Sequence, residues 1–382
     1  MSEAFIVSAR KYRPKRFDEV VGQESTTQTL KTAIKNKQLA HSFLFCGPRG
    51  VGKTTIARIL AKTINCKDLQ TDGEACNQCD SCTSFDANAS FNIYELDAAS
   101  KNSVDDIKRL IEQVQYPPQN AQYKIFIIDE VHMLSSQAFN AFLKTLEEPP
   151  EYAKFILATT ERHKILPTIL SRCQIYDFMR ISVRNITSHL AKIAEKEGIE
   201  AEENALILIS QKADGGLRDA LSMFDRLTSL NDKKLSYQSV LENLNILDYD
   251  YFFKFVDTIH QQDTSQLLLY IEDVLSKGFE LDTLLEGLSQ HIRNLWVCIH
   301  PNTIDLLEHS NDIKEKYKNQ SKLYQESTYL NLLQILSDSE NAVKHSRNKR
   351  LVVELALLKM VYLDKLTNTT WTHLEVEKKK IT

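Results

Sequence analysis

The feature that most constrains this fold is a glycine-rich run set between an apolar strand and a helix. Gly47-Pro48-Arg49-Gly50-Val51-Gly52-Lys53-Thr54 fits the pattern G-x-x-x-x-G-K-[ST] in full. The apolar run Ser42–Cys46 precedes it, and the helical pattern Thr55-Ile56-Ala57-Arg58-Ile59-Leu60 follows. Glycines let successive backbone N–H groups turn inward around phosphate oxygens, and the helix N-terminus adds positive potential. In that setting Lys53 reaches the β- and γ-phosphates, and the Thr54 hydroxyl ligates Mg²⁺.

A second run supplies what such a loop needs. Ile125-Phe126-Ile127-Ile128 reads as a buried strand with Asp129 and Glu130 emerging at its carboxyl end, where ligands bind in parallel sheets. Asp129 is expected to hold Mg²⁺ through water and Glu130 to polarise the attacking water. Further apolar runs at Ile93–Leu96, Phe155–Ala158 and Ile175–Phe178 alternate with helical patterns such as Thr54–Ile64 and Ala138–Leu146. Strands alternating with helices predict a five-stranded parallel sheet covered on both faces.

Beyond the sheet the breakers thin out. Of the eight prolines only Pro301 lies after Pro167, and after Gly216 the remaining glycines are Gly278 and Gly287. The stretch from about Val183 to Asn243 reads as purely helical. From about Ile246 onward, apolar residues recur at helical spacing: Leu281, Leu284, Leu285, Leu288, Ile292 and Leu295 in one helix, Leu351, Leu355 and Leu358 in another. At 382 residues the chain exceeds what one core usually supports, so two or three domains are expected.

Charge and cysteine usage bound the setting. The net charge of −4 excludes a generally basic nucleic-acid coat but leaves room for a local basic patch. Neither Ala4-Phe5-Ile6-Val7 nor Leu351–Leu363, interrupted by Glu354 and Lys359, makes a secretory or membrane-spanning segment, so a cytoplasmic protein without a membrane partner is expected. Of seven cysteines, Cys66, Cys76, Cys79 and Cys82 are separated by nine, two and two residues, with turn residues Asp72-Gly73, Asn77 and Asp80 between them. Four thiolates converging without an open position indicate a structural Zn²⁺ site; iron–sulfur ligation, a redox pair or free thiols are the alternatives. Cys46, Cys173 and Cys298 lie in apolar or motif surroundings and read as packing residues.

Several motifs carry a family resemblance. Asp129-Glu130-Val131-His132 resembles the Walker B box of AAA+ clamp loaders, and Ser171-Arg172-Cys173 their arginine-finger motif. Tyr12-Arg13-Pro14 to Val21-Gly22-Gln23, Glu95 to Ser100, Leu146 to Pro150 and Ala158-Thr159-Thr160 resemble the gamma/tau subunit of bacterial DNA polymerase III. The likeness is strong from about residue 8 to 240 and weaker to about 363, where Arg347 to Leu351 is similar to the family's last helix. It implies an AAA+ core over 1–181 with a zinc-binding insertion at 66–82, a small helical lid over 182–243, an all-α collar over 244–365 and a tail at 366–382.

Roles follow by position from that resemblance. Thr160 matches sensor 1, Arg218 matches sensor 2 in the lid, and Arg172 matches the finger that enters the neighbouring subunit's site. Tyr12, Val21 and Gly22 match the stretch near adenine, and Thr55 completes the loop contacts. Arg162 and Arg184 read as solvated surface residues. The implied activity is ATP hydrolysis within a DNA polymerase holoenzyme, opening a sliding clamp and loading it on primed DNA.

The implied partners are further copies of the chain and delta and delta-prime type subunits in a pentamer, plus the clamp and the DNA phosphate backbone. Family members also occur in a longer form with C-terminal domains for polymerase and helicase. The basic run Arg10 to Arg16 is a free-standing candidate for a nucleic-acid arm, whereas the resemblance assigns it to the nucleotide side. Ser100-Lys101-Asn102-Ser103 is the alternative DNA contact, with Ser103 equally suited to be a simple N-cap. The apolar helices after residue 246 suit either a collar or an ordinary internal core. A delta-prime-like structural subunit and a branch-migration motor are the competing readings. The intact Gly47, Gly52, Lys53, Thr54, Asp129 and Glu130 oppose the first, and the cysteine insertion with Ser171-Arg172-Cys173 opposes the second.

Overall fold

The computed structural model describes residues 7–230 and 234–363. The expected tail at 366–382 lies outside the described residues. The chain divides into two compact units, one ending at Leu235 and one beginning at Ser236, ahead of the helix Tyr237–Leu244.

The first unit is built on five strands: β1 (Ser42–Cys46), β2 (Ile93–Asp97), β3 (Lys124–Asp129), β4 (Ala153–Thr159) and β5 (Gln174–Asp177). Their order is β2-β3-β4-β1-β5 and every pairing is parallel, so all carboxyl ends share one edge. Cys46 pairs with Thr159 and Asp97 with Asp129 along that edge. The apolar runs are continuous because both faces are covered. Phe43, Phe45, Ile125, Ile127 and Ile156 pack on one side with Leu30, Ile56, Ile59 and Leu60. Leu44, Phe126, Ile128, Phe155 and Leu157 pack on the other with Ile107, Leu110, Phe139 and Phe142. The fifth strand is shifted from the sequence expectation. Phe178 lies beyond it, its amide bonded to the Cys46 carbonyl at 2.7 Å, because the chain turns there toward the lid.

The helices Val183–Glu197, Glu203–Lys212 and Leu217–Leu230 form the lid. Ser182 caps the first by accepting from the Asn185 amide, and Gly198, at φ 64°, ends it. The expectation of a purely helical stretch needs correction. Glu200–Ala201 and Lys234–Leu235 pair as a short parallel ribbon, and the Glu202 amide donates to Leu235 O at 3.0 Å. Two-residue strands leave no periodic signal.

The second unit is helical. Leu284, Leu285, Leu288, Ile292 and Leu295 of the helix Leu281–Val297 are buried as expected, with Leu332, Leu336, Val343, Val353 and Leu357. The last helix, Lys349–Val361, turns only part of its apolar surface inward. Val353, Leu357 and Met360 are buried, whereas Leu351 is 49% and Leu355 47% exposed. The helix is apolar nearly all round, so spacing alone could not choose its buried side.

Candidate nucleotide site and cysteine cluster

The loop 47–52 leaves β1 at the shared carboxyl edge and feeds the helix Lys53–Ile64, which buries Ile56, Ala57, Ile59 and Leu60 against the sheet. Gly47 is required sterically, because a Cβ there would lie 2.4 Å from the Phe178 carbonyl oxygen. Its amide is held by Thr159 O at 3.2 Å. Pro48 and Gly50 are half-buried, Arg49 is exposed and Val51 is buried. Lys53 is buried inside the turn, its ammonium donating to Gly47 O at 2.8 Å and Pro48 O at 2.7 Å. Burial pushes its pKa down against the upward pull of Glu130 and Asp129.

The two expected magnesium residues meet. Thr54 Oγ1 donates to Asp129 Oδ2 at 2.6 Å, and Asp129 Oδ1 accepts from the Glu130 amide at 2.9 Å. Glu130 adopts φ 46°, a strained value for a non-glycine residue. Its Oε2 accepts from the Thr160 amide at 3.2 Å and the Thr160 hydroxyl at 2.9 Å. Thr160 follows β4 directly, so neighbouring strand ends bring the two together.

The lid touches the loop, and the N-terminal segment comes close to it at Thr55. The Arg218 amide donates to Gly50 O at 3.3 Å, setting the start of the helix Leu217–Leu230 against the loop. The Tyr12 hydroxyl donates to Glu197 of the lid, and Gly22 lies so near Ile181 that a Cβ would stand 2.9 Å from its Cγ2. Val21 is half-buried beside it. Gln23 clasps Met179, donating to its carbonyl at 2.7 Å and accepting from its amide at 3.3 Å. Arg13 Nε donates to Thr55 Oγ1 at 3.2 Å; burial and the neighbouring Arg58 push the Arg13 pKa down.

Arg172 makes none of its hydrogen bonds in this cluster. Its guanidinium donates to Thr168 O at 2.7 Å and Ser171 Oγ at 3.2 Å, and it pairs with Glu147 Oε1 at 2.7 Å.

The four clustered sulfurs converge, with Cys66, Cys76, Cys79 and Cys82 Sγ all within 4.8 Å of one another and the first two 3.5 Å apart. A tetrahedral ion with metal–sulfur bonds of about 2.3 Å needs sulfurs about 3.8 Å apart. The Cys76 amide points at Cys66 Sγ (3.3 Å), and the Gln78 and Cys79 amides at Cys76 Sγ (3.5 and 3.3 Å). Outside the cluster, burial pushes the thiols of Cys46 and Cys173 up to about 11 and about 12, as inert packing residues require.

Ser103 is an N-cap, accepting from the Asp106 amide at 3.2 Å at the start of the helix Val104–Val114. Asp105 and Asp106 occupy that first turn, while Lys101 is exposed.

Three family models match the chain. One described as the DNA polymerase III delta subunit spans residues 22–182, one for the ATPase lid domain of the DNA polymerase III clamp loader subunit spans 185–227, and one for domain III of DNA polymerase III subunits gamma and tau spans 235–371. DNA polymerase III subunit gamma of Buchnera aphidicola is 34% identical over 361 residues, covering 93% of this chain and 98% of that protein. The chain belongs to the gamma/tau family of DNA polymerase III subunits. Subunit tau of Bacillus subtilis is 38% identical over 351 residues, 92% of this chain and 62% of the relative. Tau/gamma of Haemophilus influenzae is 35% identical over 357 residues, 93% of this chain and 51% of the relative. The chain thus spans about half to two thirds of these longer gamma/tau relatives. Among solved structures, the Thermotoga maritima RuvB branch migration motor overlaps with a TM-score of 0.46 at 22% identity, over 72% of this chain and 87% of that one. That overlap is too loose to weigh in the assignment.

In this gamma/tau chain, sequence reasoning missed Arg13 and Gln23 beside the loop and Glu147 as the partner of Arg172. Arg13 and Gln23 lie in stretches singled out for their resemblance, and Glu147 in another. Two charges, Lys62 and Glu74, are buried with no signal in the sequence, since each is a single charge whose burial depends on segments distant in sequence. Among the described residues no helix is long and apolar enough to cross a membrane.

Proposed function

We propose that this chain is the ATP-hydrolysing motor subunit of the DNA polymerase III clamp loader, working in the cytoplasm to open the sliding clamp and load it on primed DNA. One observation carries the reading: Lys53, the Thr54–Asp129 pair and the Glu130–Thr160 pair gather at the carboxyl edge of one parallel sheet. Lys53 would exchange the Gly47 and Pro48 carbonyls for the β- and γ-phosphates of ATP, with the loop amides of 47–52 and Thr55 alongside. Thr54 and Asp129 would hold Mg²⁺, which when bound neutralises charge on those phosphate oxygens. Glu130 would polarise the attacking water, with Thr160 and Arg218 sensing the γ-phosphate and Tyr12, Val21 and Gly22 lining the adenine side.

Arg172 serves the neighbouring subunit's site in this reading, which its hydrogen bonds outside the cluster support. The exposed Leu351 and Leu355 support a collar that joins subunits, copies of this chain with delta and delta-prime types. The cysteine cluster would hold one Zn²⁺, since four sulfurs within 4.8 Å suit a closed thiolate site. DNA contact through Lys101 would be to the backbone only; the acidic first turn and capped Ser103 argue against a phosphate seated on the helix end itself.

The test is reconstitution. The chain should retain a ring-shaped clamp and delta-type subunits in a pull-down and hydrolyse ATP, and Lys53→Ala should abolish binding of ATP. Capture of four-way DNA junctions with no clamp would favour the branch-migration reading instead.

A further inference from the structure

Glu74 is a fully buried carboxylate in the cysteine insertion, two residues before Cys76. Its two oxygens accept from the amides of Phe17 at 3.1 Å and Asp18 at 3.2 Å, and Lys31 Nζ lies 3.2 Å away. Lys31 is itself bonded to Asp18 at 2.8 Å. The insertion thus caps the short helical turn Phe17–Glu19, which lies between Arg13 and Gly22 in the segment bordering the phosphate loop. Nearby, Arg16 pairs with Asp72 at 3.0 Å.

A second buried charge fastens the insertion elsewhere. Lys62, in the last turn of the phosphate-loop helix, donates to Asn77 Oδ1 at 2.5 Å and Asp86 Oδ1 at 3.3 Å. Asn77 stands between Cys76 and Cys79 at φ 59°, a conformation the knuckle must hold for that contact. A buried charge is tolerated only where its partners are fixed, so neither Glu74 nor Lys62 accepts a loosened knuckle.

We propose that the cysteine knuckle is a splint for the nucleotide site: with a zinc-class cation on its four sulfurs it holds Glu74 against Phe17 and Asp18, orders the segment Arg13–Gly22, and so sets the affinity for ATP. Glu74 is a positioning residue in this scheme, and the proposal rests on the reading of the phosphate loop as an ATP site. Two hydrogen bonds to a buried carboxylate are worth about tenfold or more in local ordering. Apparent affinity scales with the ordered fraction, so about a tenfold change in the dissociation constant is expected.

The experiment measures equilibrium ATP–Mg²⁺ binding and amide hydrogen exchange on the intact chain. Four forms are compared: wild type with zinc, wild type stripped of metal under reducing conditions, the stripped chain with zinc restored, and Glu74→Gln with zinc. Stripping and Glu74→Gln should each raise the dissociation constant about tenfold and speed exchange at the Phe17 and Asp18 amides. Turnover at saturating ATP should stay within about twofold, since the chemistry lies elsewhere, and restored zinc should restore affinity. Glu74→Gln should retain its zinc, which separates the splint from metal loss. An unchanged ATP affinity in the stripped chain overturns the proposal, whether or not Glu74→Gln folds. So does unchanged affinity in a folded Glu74→Gln chain. Failure of the zinc-loaded wild type to bind ATP would instead remove the ATP reading itself.

Discussion

Glu130 Oε2 is held by both the amide and the hydroxyl of Thr160, at 3.2 and 2.9 Å. The carboxylate proposed to polarise water is therefore oriented by the residue proposed to sense the γ-phosphate. Glu130→Gln should keep ATP bound, because the Thr54–Asp129 pair proposed to hold Mg²⁺ stays intact, and cost at least about 100-fold in turnover. Thr160→Val removes one of the two donors and should cost about tenfold in turnover with affinity within about twofold. Binding and phosphate-release assays on the assembled complex check both. Normal hydrolysis by Glu130→Gln would withdraw its role.

Arg172 pairs with Glu147 rather than with the nucleotide cluster of its own chain. A guanidinium offered in trans contributes about 10³–10⁵ in rate in GTPases, or roughly 4–7 kcal/mol of barrier. Arg172→Ala should leave ATP affinity nearly intact and remove most DNA- and clamp-stimulated turnover. In mixed assemblies, an Arg172→Ala chain beside a wild-type neighbour's finger should recover hydrolysis at its own site. A site that stays dead there would mean the finger acts in cis.

Single Cys→Ser changes at Cys66, Cys76, Cys79 or Cys82 should lower zinc content from one ion per chain, because each removes one of four converging sulfurs. The sheet has its own apolar core, so much of the fold should survive, as circular dichroism would report. Elemental analysis finding iron, or no metal, would reject zinc.

His291 is fully buried in the helical unit, with Nδ1 3.0 Å from the Tyr317 hydroxyl and Nε2 2.9 Å from Gln320 Oε1. Gln320 Nε2 donates to Phe253 O and Asp257 Oδ1, both at 2.8 Å, so its oxygen accepts and the His291 Nε2–H donates. Burial pushes the His291 pKa down to about 3, and that of nearby His309 to about 4. An unfolded histidine titrates near 6.5, so between about pH 6.5 and 3 the unfolded chain binds protons that the folded chain refuses. Stability of this unit should fall on acidification through that window, by up to about 1.4 kcal/mol per pH unit per histidine. His291→Gln should be less stable at pH 7 yet lose less between pH 7 and pH 5 in thermal unfolding. An equal loss in both proteins would assign the acid sensitivity to other groups.

Local chemistry made much of the candidate site nameable from the chain alone. A phosphate loop needs glycines, a lysine and a hydroxyl in fixed order, and the acids must follow an apolar strand, so Gly47 to Thr54 and Asp129-Glu130 could be named from spacing. The same holds for the strands, whose continuous apolar runs reflect a sheet buried on both faces. Folding added whatever depends on partners far away in the chain. Which side of Lys349–Val361 is exposed could not be read from spacing, because an all-round apolar helix has no preferred face until Leu332 and Leu336 pack against it. The ribbon between Glu200–Ala201 and Lys234–Leu235 joins residues more than thirty positions apart through strands too short to leave a pattern. Glu74 and Lys62 look like surface charges in the sequence; burial turns them into fastenings, because a charge removed from water must find its partners in the protein.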